Sequence, residues 1–548
     1  MNYLKNTLNK KTTPQSQPIP GSAQVANSAG GYAFAVDDWT RLTRFLVLGA
    51  EGGTYYIGER TLTLENAEAV KRCIQSDGPR VVREIVAVSD MGRAPKNDPA
   101  LFALAMCAAL GDDATRRAAL AALPQVARIG THLFHFAAYV DGMRGWGRGL
   151  RQAIARWYNA QDAGKLAYQA IKYGQRDGWS HRDLLRLGHP TPATEQHTAL
   201  YHWITQGWPG VGDAPHPDPA LRPVWACERL KRAADAREAA SLIRDHTLPR
   251  EAVPTQWLGD PAVWEALLEQ MPMTALIRNL ATLTRVGLLT PQSDATRKVI
   301  AQVTDKARLK KARVHPIAVL SALKTYAQGR GERGQNTWTP VAKVVDALDA
   351  AFYASFGNVE ATGRRWLLAL DVSGSMGGPP IAGTPGLTPR IASAAMAMIT
   401  AATEPEHQIV AFSAPSGGGG YGGQWGGQSG LTPVTISPRQ RLDDVIRETD
   451  KIPFGGTDCA LPMVYALKNK MAADVFVVYT DSETWAGKIH PVQALREYRQ
   501  RMGIPAKLVV VGMTSNGFSI ADANDAGMLD VVGFDTATPQ LMSDFARQ

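Results

Sequence analysis

Two rhythms of apolar spacing divide this chain of 548 residues. From about residue 60 to 356, apolar side chains recur every three or four positions. The clearest runs are PALFALAMCAALG (99–111), TRRAALAALPQVA (115–127), GLRQAIARWYN (149–159), AGKLAYQAIKYG (163–174), DPAVWEALLEQM (260–271), MTALIRNLATLTRVG (273–287) and PIAVLSALKTYAQG (316–329). That spacing gives each segment one apolar stripe along a helix, and Gly or Pro marks most of the ends. Many short helices with short connections and few β-branched runs predict a helical array in which neighbours bury one another's faces. The period is irregular, so the array is repeat-like rather than a strict repeat.

Near residue 360 the rhythm changes. WLLALDV (366–372), QIVAFS (408–413), DVFVVYTD (474–481) and AKLVVVG (506–512) are short runs rich in Val, Leu and Ile, separated by helical spacing over 390–400, 441–450, 460–470 and 491–502. Such alternation predicts a mostly parallel, Rossmann-like α/β sheet covered on both faces. Ligands of these folds bind beyond the carboxyl ends of the strands, where Asp371 and Asp481 stand. A glycine-rich stretch at 414–430 interrupts the domain and reads as a flexible connection. Its Tyr421 and Trp425 could stack on a nucleobase, but a glycine loop holds them in no fixed place.

Composition adds a charge asymmetry. The chain carries 59 Lys and Arg against 50 Asp and Glu, a net charge of +9. Residues 361–548 hold 15 basic and 17 acidic side chains, so the excess belongs to the 44 basic and 33 acidic groups before them. A basic domain attracts polyanions, nucleic acid foremost; solubility alone is the other reading. Four scattered cysteines, at 73, 107, 227 and 459, point to a reducing compartment and away from a disulfide framework or zinc site. No apolar run approaches the roughly 20 residues of a membrane span. The first 24 residues, MNYLKNTLNKKTTPQSQPIPGSAQ, lack the apolar core of a signal peptide. Residues 1–30 therefore read as a disordered tail and the protein as cytoplasmic.

Three pieces of the C-terminal third belong together chemically: Asp371-Val-Ser373-Gly-Ser375, Gly455-Gly456-Thr457-Asp458, and Thr480-Asp481. Hydroxyls and carboxylates are hard oxygen donors that suit a divalent cation such as magnesium. Asp371, Ser373, Ser375, Thr457 and Asp481 are the candidate ligands, and they leave a position open for an acidic group from a partner. The ordered trio resembles the metal-ion-dependent adhesion site of von Willebrand factor A domains. An enzyme is disfavoured: a two-metal nuclease needs more clustered carboxylates, and neither serine has the GxSxG setting of a hydrolase nucleophile.

Further stretches carry a wider resemblance. RFLVLGAEGGTYYIGE (44–59), RGWGRGLRQAIARWY (144–158), KYGQRDGWSHRDLLRLGHP (172–190), GGTDCALPMVYA (455–466), HPVQALREYR (490–499) and IPAKLVVVGMTSNGFSIADANDAGMLDVVGFD (504–535) resemble the Ro autoantigen family. Its members carry a TROVE module followed by a von Willebrand factor A domain. The resemblance implies HEAT-like helical repeats over 31–360 that form a ring completed by an A domain over 361–548. It further implies that the hole admits single-stranded 3′ ends of misfolded RNAs and that the outer basic surface binds small structured Y RNAs. Bacterial members are thought to work with an exoribonuclease such as polynucleotide phosphorylase.

By the same resemblance Lys172, Arg176 and His189 match positions that contact Y RNA. Lys172 and Arg176 are four apart and are expected on one helix face. Ser180 followed by Asp183 reads as a capping box opening the next helix, which groups His181 and His189 with them at one corner. Without the resemblance this corner is a solvated basic helix end. Arg144, Arg148 and Arg151 are candidate phosphate contacts, with Trp146 expected in the core rather than as a stacking platform. No RRM, KH or double-stranded-RNA-binding signature is present. The expectation is a monomeric, non-catalytic RNA scaffold for RNA quality control; the alternative is a protein–protein adaptor built on the metal-dependent domain.

Overall fold

A computed structural model describes residues 12–208, 212–331, 335–356, 359–414, 430–434, 437, 440–452, 455–534 and 536–548. The described chain opens with strands β1 (Gln24–Ala26) and β2 (Tyr32–Ala35) and helices α1 (Asp38–Leu48) and α2 (Glu59–Met91). Helices α3 (Asp98–Leu110), α4 (Asp113–Val126), α5 (Gly130–Arg144), α6 (Arg148–Asn159) and α7 (Ala163–Lys172) follow. Then come a hairpin of β3 (Gln175–Arg176) and β4 (Trp179–Ser180), helix α8 (His181–Gly188), and further helices up to Ala342–Ala354. The chain divides into two compact units: residues 70–355, and residues 1–69 together with 356–548.

The helical unit is built as the apolar spacing predicts. Aspartates start its helices by accepting the orphan backbone N–H at the third helical position: Asp112 from Thr115 and Asp162 from Lys165, each at 2.8 Å. Packing is local, α3 against α4 and α5, α4 against α6, α6 against α8, as a stacked array requires. Cys73, Cys107 and Cys227 are buried in this unit and none is in a disulfide.

In the other unit six strands form one sheet in the order β11-β9-β8-β5-β6-β7. They are β5 (Trp366–Asp371), β6 (His407–Phe412), β7 (Leu431–Pro433), β8 (Val475–Thr480), β9 (Lys507–Gly512) and β11 (Met528–Val532). All neighbours pair in parallel except β6 with β7. Every residue of β5 and β8 is buried, as central strands covered on both faces must be.

The segment expected to trail as a disordered tail is, from residue 12 to 30, part of this unit. β1 and β2 make a small antiparallel sheet with β10 (Phe518–Ser519). Gln15 is fully buried. Its amide donates to Asp458 Oδ1 and to the Ile489 carbonyl, both at 2.8 Å, and its oxygen accepts from the Thr484 hydroxyl. A polar segment folds here because its hydrogen-bonding groups find buried partners more than 400 residues away. The glycine-rich residues 415–429, with Tyr421 and Trp425, lie outside the described residues. Among the described residues no helix is long and apolar enough to cross a membrane.

Candidate metal centre and nucleic-acid interface

The three oxygen-rich pieces meet at the carboxyl ends of β5 and β8. Asp371 ends β5 and is fully buried. Its Oδ1 accepts from the Ser373 backbone N–H at 2.9 Å and its Oδ2 from the Thr480 hydroxyl at 2.6 Å. The Ser373 and Ser375 hydroxyls hydrogen-bond each other at 3.1 Å. Gly374 N–H donates to the Gly455 carbonyl at 3.3 Å, and the Thr457 carbonyl accepts from Trp485 and Ala486, tying the GGTD turn to both strand ends. All five predicted ligands are buried together. Asp458 is instead structural: its Oδ1 caps Ala460 N–H at 3.0 Å besides holding Gln15.

These residues fit a hard cation because their negative charge is left uncompensated. Burial first, then the neighbouring Asp371 and Glu483, pushes the Asp481 carboxyl up to about 8. Burial also raises Asp371 and Glu483. The guanidinium felt by Asp371, Arg390, spends one nitrogen on the Val372 carbonyl at 2.7 Å and another on that of Ile452 at 3.2 Å. Among the described residues no three His, Cys, Asp or Glu side chains gather as a metal cage. A cation here would be held by the Ser373, Ser375 and Thr457 hydroxyls with Asp371 and Asp481.

Sequence reasoning missed the surroundings of this centre. The Tyr56 hydroxyl belongs to the same electrostatic neighbourhood, and burial together with Asp481 and Glu483 pushes it up to about 12. Glu483 accepts from the Ser28 and Ala29 backbone at 2.8 and 3.2 Å and from Asn516 at 3.2 Å. The pairings to Ser28 and Ala29 join residues over 400 positions apart, and no local pattern signals them.

In the helical unit the predicted basic corner is rearranged. Helix α7 ends at Lys172, and Tyr173 leaves the helix at φ −119°, ψ 69°. Arg176 therefore does not share a helix face with Lys172, contrary to the four-residue spacing. Asp177 and Gly178 take positive φ of 51° and 77°, the two-residue turn that Asp-Gly favours in a hairpin, and the chain reverses there. Lys172 lies with its ammonium 5.5 Å from the ring centres of both Tyr168 and Tyr173, and burial lowers its pKa.

His181 is also not where RNA could reach it. It opens α8 behind the expected capping box, Ser180 with Asp183. Its ring is buried, with Nδ1 2.7 Å from the Tyr158 hydroxyl and its centre 4.8 Å from that of Phe134. Burial pulls its pKa down to about 4. It is a core histidine.

The remaining candidates are all exposed. His189 caps α8 in the left-handed region at φ 44°, ψ 51°. A Cβ on Gly188 would lie 3.2 Å from Ile154 Cγ2 and 3.7 Å from the Arg151 carbonyl, so the end of α8 packs directly on α6 beside Arg151. Arg148 and Arg151 are exposed on the first turn of α6, and Arg182 and Arg186 on one side of α8. Among the described residues none of these four arginines forms an ion pair. Arg144, exposed at the end of α5, donates to the Ala109 carbonyl at 3.3 Å. Arg182 and Arg186 escaped the sequence reading, although their spacing around Leu184 and Leu185 already marks the polar face of α8. Trp146 is not a core residue: it is partly exposed and packs on Trp179 at 5.2 Å between ring centres.

Known proteins resemble the chain over both units. A family model of the TROVE domain matches residues 25–207 and 242–325, and one of the Ro60 vWA domain matches residues 365–546. Domains of the latter type often depend on a divalent cation. The RNA-binding protein RO60 of Deinococcus radiodurans is 44% identical over 549 residues, covering 100% of this chain and 99% of that protein. The protein of the same name from Caenorhabditis elegans is 35% identical, covering 98% and 92%. The crystal structure of the Deinococcus radiodurans RO (RSR) protein superposes with a TM-score of 0.69 at 43% identity, covering 93% of this chain and 99% of that one.

Proposed function

This chain belongs to the Ro family, and on that premise we propose that it is an RNA-binding scaffold with no catalytic activity of its own. The observation that carries the reading is the set of exposed arginines on the packed helices α6 and α8, Arg148, Arg151, Arg182 and Arg186, none of which forms an ion pair among the described residues, with His189 at the end of α8. Exposed guanidinium groups without carboxylate partners are free to release counterions from phosphates. We assign to this set a small structured, Y-like RNA, with Arg144 and Arg176 as further phosphate contacts and Lys172 supporting the adjacent surface. Misfolded RNA bearing a single-stranded 3′ end would be the cargo, passed to an exoribonuclease in the cytoplasm.

The test is a filter-binding titration of the full chain against a small hairpin RNA at about 50 and 200 mM salt. Binding in the micromolar range or tighter that weakens by orders of magnitude at the higher salt supports the reading. No salt-sensitive binding overturns it. A second reading, a protein adaptor, draws on the hydroxyl-rich centre at Asp371, where magnesium would leave room for a partner's carboxylate. The two readings are compatible if the centre recruits the nuclease.

A further inference from the structure

Trp146 and Trp179 differ from five of the seven other tryptophans of the helical unit. Trp157, Trp203, Trp225, Trp264 and Trp338 each donate the indole N–H to a protein acceptor, the usual arrangement for a buried indole. Trp146 and Trp179 have no such acceptor among the described residues. Both are partly exposed, their rings 5.2 Å apart and tilted by 44°. Trp146 lies between α5 and α6, flanked by Gly145 and Gly147. Trp179 follows Gly178 of the hairpin turn. A Cβ on Gly147 or Gly178 would meet nothing within 4 Å, so there is open space beside the ring pair.

The surroundings are cationic and held in place. Arg176 is the cross-strand partner of Trp179, and Arg148 follows Trp146 by two residues. Of the nearby acids, Asp183 is used in the capping box with Ser180, and Asp177 pairs with His135 on α5 and lies 3.7 Å from Arg176 Nε, a solvent-exposed contact that a phosphate can replace. That pairing, with the reach of His135 Nε2 to Asp98 at 3.5 Å, pins the hairpin tip to α5. An exposed aromatic surface fixed in advance costs little ordering on binding.

We propose that Trp146 and Trp179 form a stacking site for one unpaired nucleobase of a bound RNA, with Arg148 and Arg176 on the flanking phosphates. This rests on the RNA-binding reading and deepens it: the arginines supply affinity for any polyanion, and the ring pair selects RNA with an unpaired base next to a structured part. Stacking needs only a base π-face, so it adds affinity without adding salt dependence.

The experiment compares two hairpin RNAs of equal charge, one with a five-nucleotide single-stranded tail and one whose tail is abasic. The full chain is expected to bind the first more tightly by about 5- to 150-fold, the range of one stacked base. Trp146→Ala with Trp179→Ala should erase that preference and leave the salt slope unchanged; Trp146→Phe with Trp179→Phe should keep most of it. Hydrogen exchange over residues 130–190 checks that the hairpin still folds, and the phenylalanine variant carries the test if the alanine variant is unfolded. Salt-sensitive binding of both RNAs with equal affinity overturns the stacking site and leaves the RNA reading standing. Binding of neither overturns both. A preference that survives in the folded alanine variant places the base elsewhere and overturns the proposal.

Discussion

Arg44 and Asp530 form a bidentate ion pair, with Arg44 Nη2 at 2.7 Å from each carboxylate oxygen. The Arg44 side chain is 1% exposed, and its Nη1 donates to the carbonyls of Asn516 at 3.0 Å and Phe518 at 2.8 Å. The pair fastens α1 to the edge strand β11, and removing one member leaves a charge without its partner in a dry site. Arg44→Leu should therefore destabilise the sheet-containing unit by about 3–5 kcal/mol. Hydrogen exchange in peptides of 356–548 reads the loss, and Arg44→Leu with Asp530→Leu should recover part of it. A loss below about 1 kcal/mol would mean that the pair is no stronger than an exposed one.

The centre at Asp371 predicts a cation-dependent stability. Magnesium at about a hundred times its dissociation constant should stabilise the protein by about 2.7 kcal/mol, seen as a rise of several degrees in the melting transition of the sheet unit. Asp371→Ala should abolish the rise while leaving hairpin-RNA affinity within about twofold. Persistence of the rise in the variant would move the cation away from β5.

The exposed arginines predict a change in slope. Replacing Arg148, Arg151, Arg182 and Arg186 by alanine should lower the dependence of log affinity on log salt by about 0.7–0.9 for each phosphate that is no longer neutralised. Lys172→Ala with Arg176→Ala asks the same of the pair singled out by family resemblance. An unchanged slope in both variants would place the RNA on another surface.

Acid lability is expected at the heart of the helical unit. Burial pulls His181 from its ordinary 6.5 down to about 4. As pH falls through that window the unfolded chain takes up the proton and the folded one does not, so stability is whole above about 6.5 and declines towards 4. The full loss is ~3 kcal/mol. His132, pulled down to about 3 chiefly by burial, acts in the same direction. Hydrogen exchange of residues 150–190 at pH 7 and pH 5 should show the difference, and His181→Gln should flatten it. Equal protection at the two pH values would contradict the neutral core histidine.

The division into a helical and a parallel-sheet part follows from spacing alone, because each helix and central strand carries its own apolar pattern. The strands at 366–371 and 475–480 match their apolar runs nearly residue for residue. The meeting of the candidate donors was legible for the same reason: Asp371, Thr457 and Asp481 are local to strand ends and turns that hydrophobicity locates. Two things were not. In KYGQRDGWS helical spacing and turn chemistry overlap, and the Asp-Gly turn prevailed, which separated Lys172 from Arg176. The docking of residues 12–30 depends on hydrogen bonds such as Gln15 to Asp458, which no periodicity encodes.

The folding unit that holds the sheet is discontinuous, with residues 70–355 inserted between its two parts. On the ribosome, α1 is made long before its anchor: Arg44 waits 486 residues for Asp530. The helices, whose packing is local, can assemble during that interval, whereas β1 and β2 have only each other until β10 is made. At roughly 5–20 residues per second the wait is on the order of 25–100 s. Biogenesis therefore leaves the polar character of residues 12–30 a second task, keeping a waiting segment soluble until its distant half emerges.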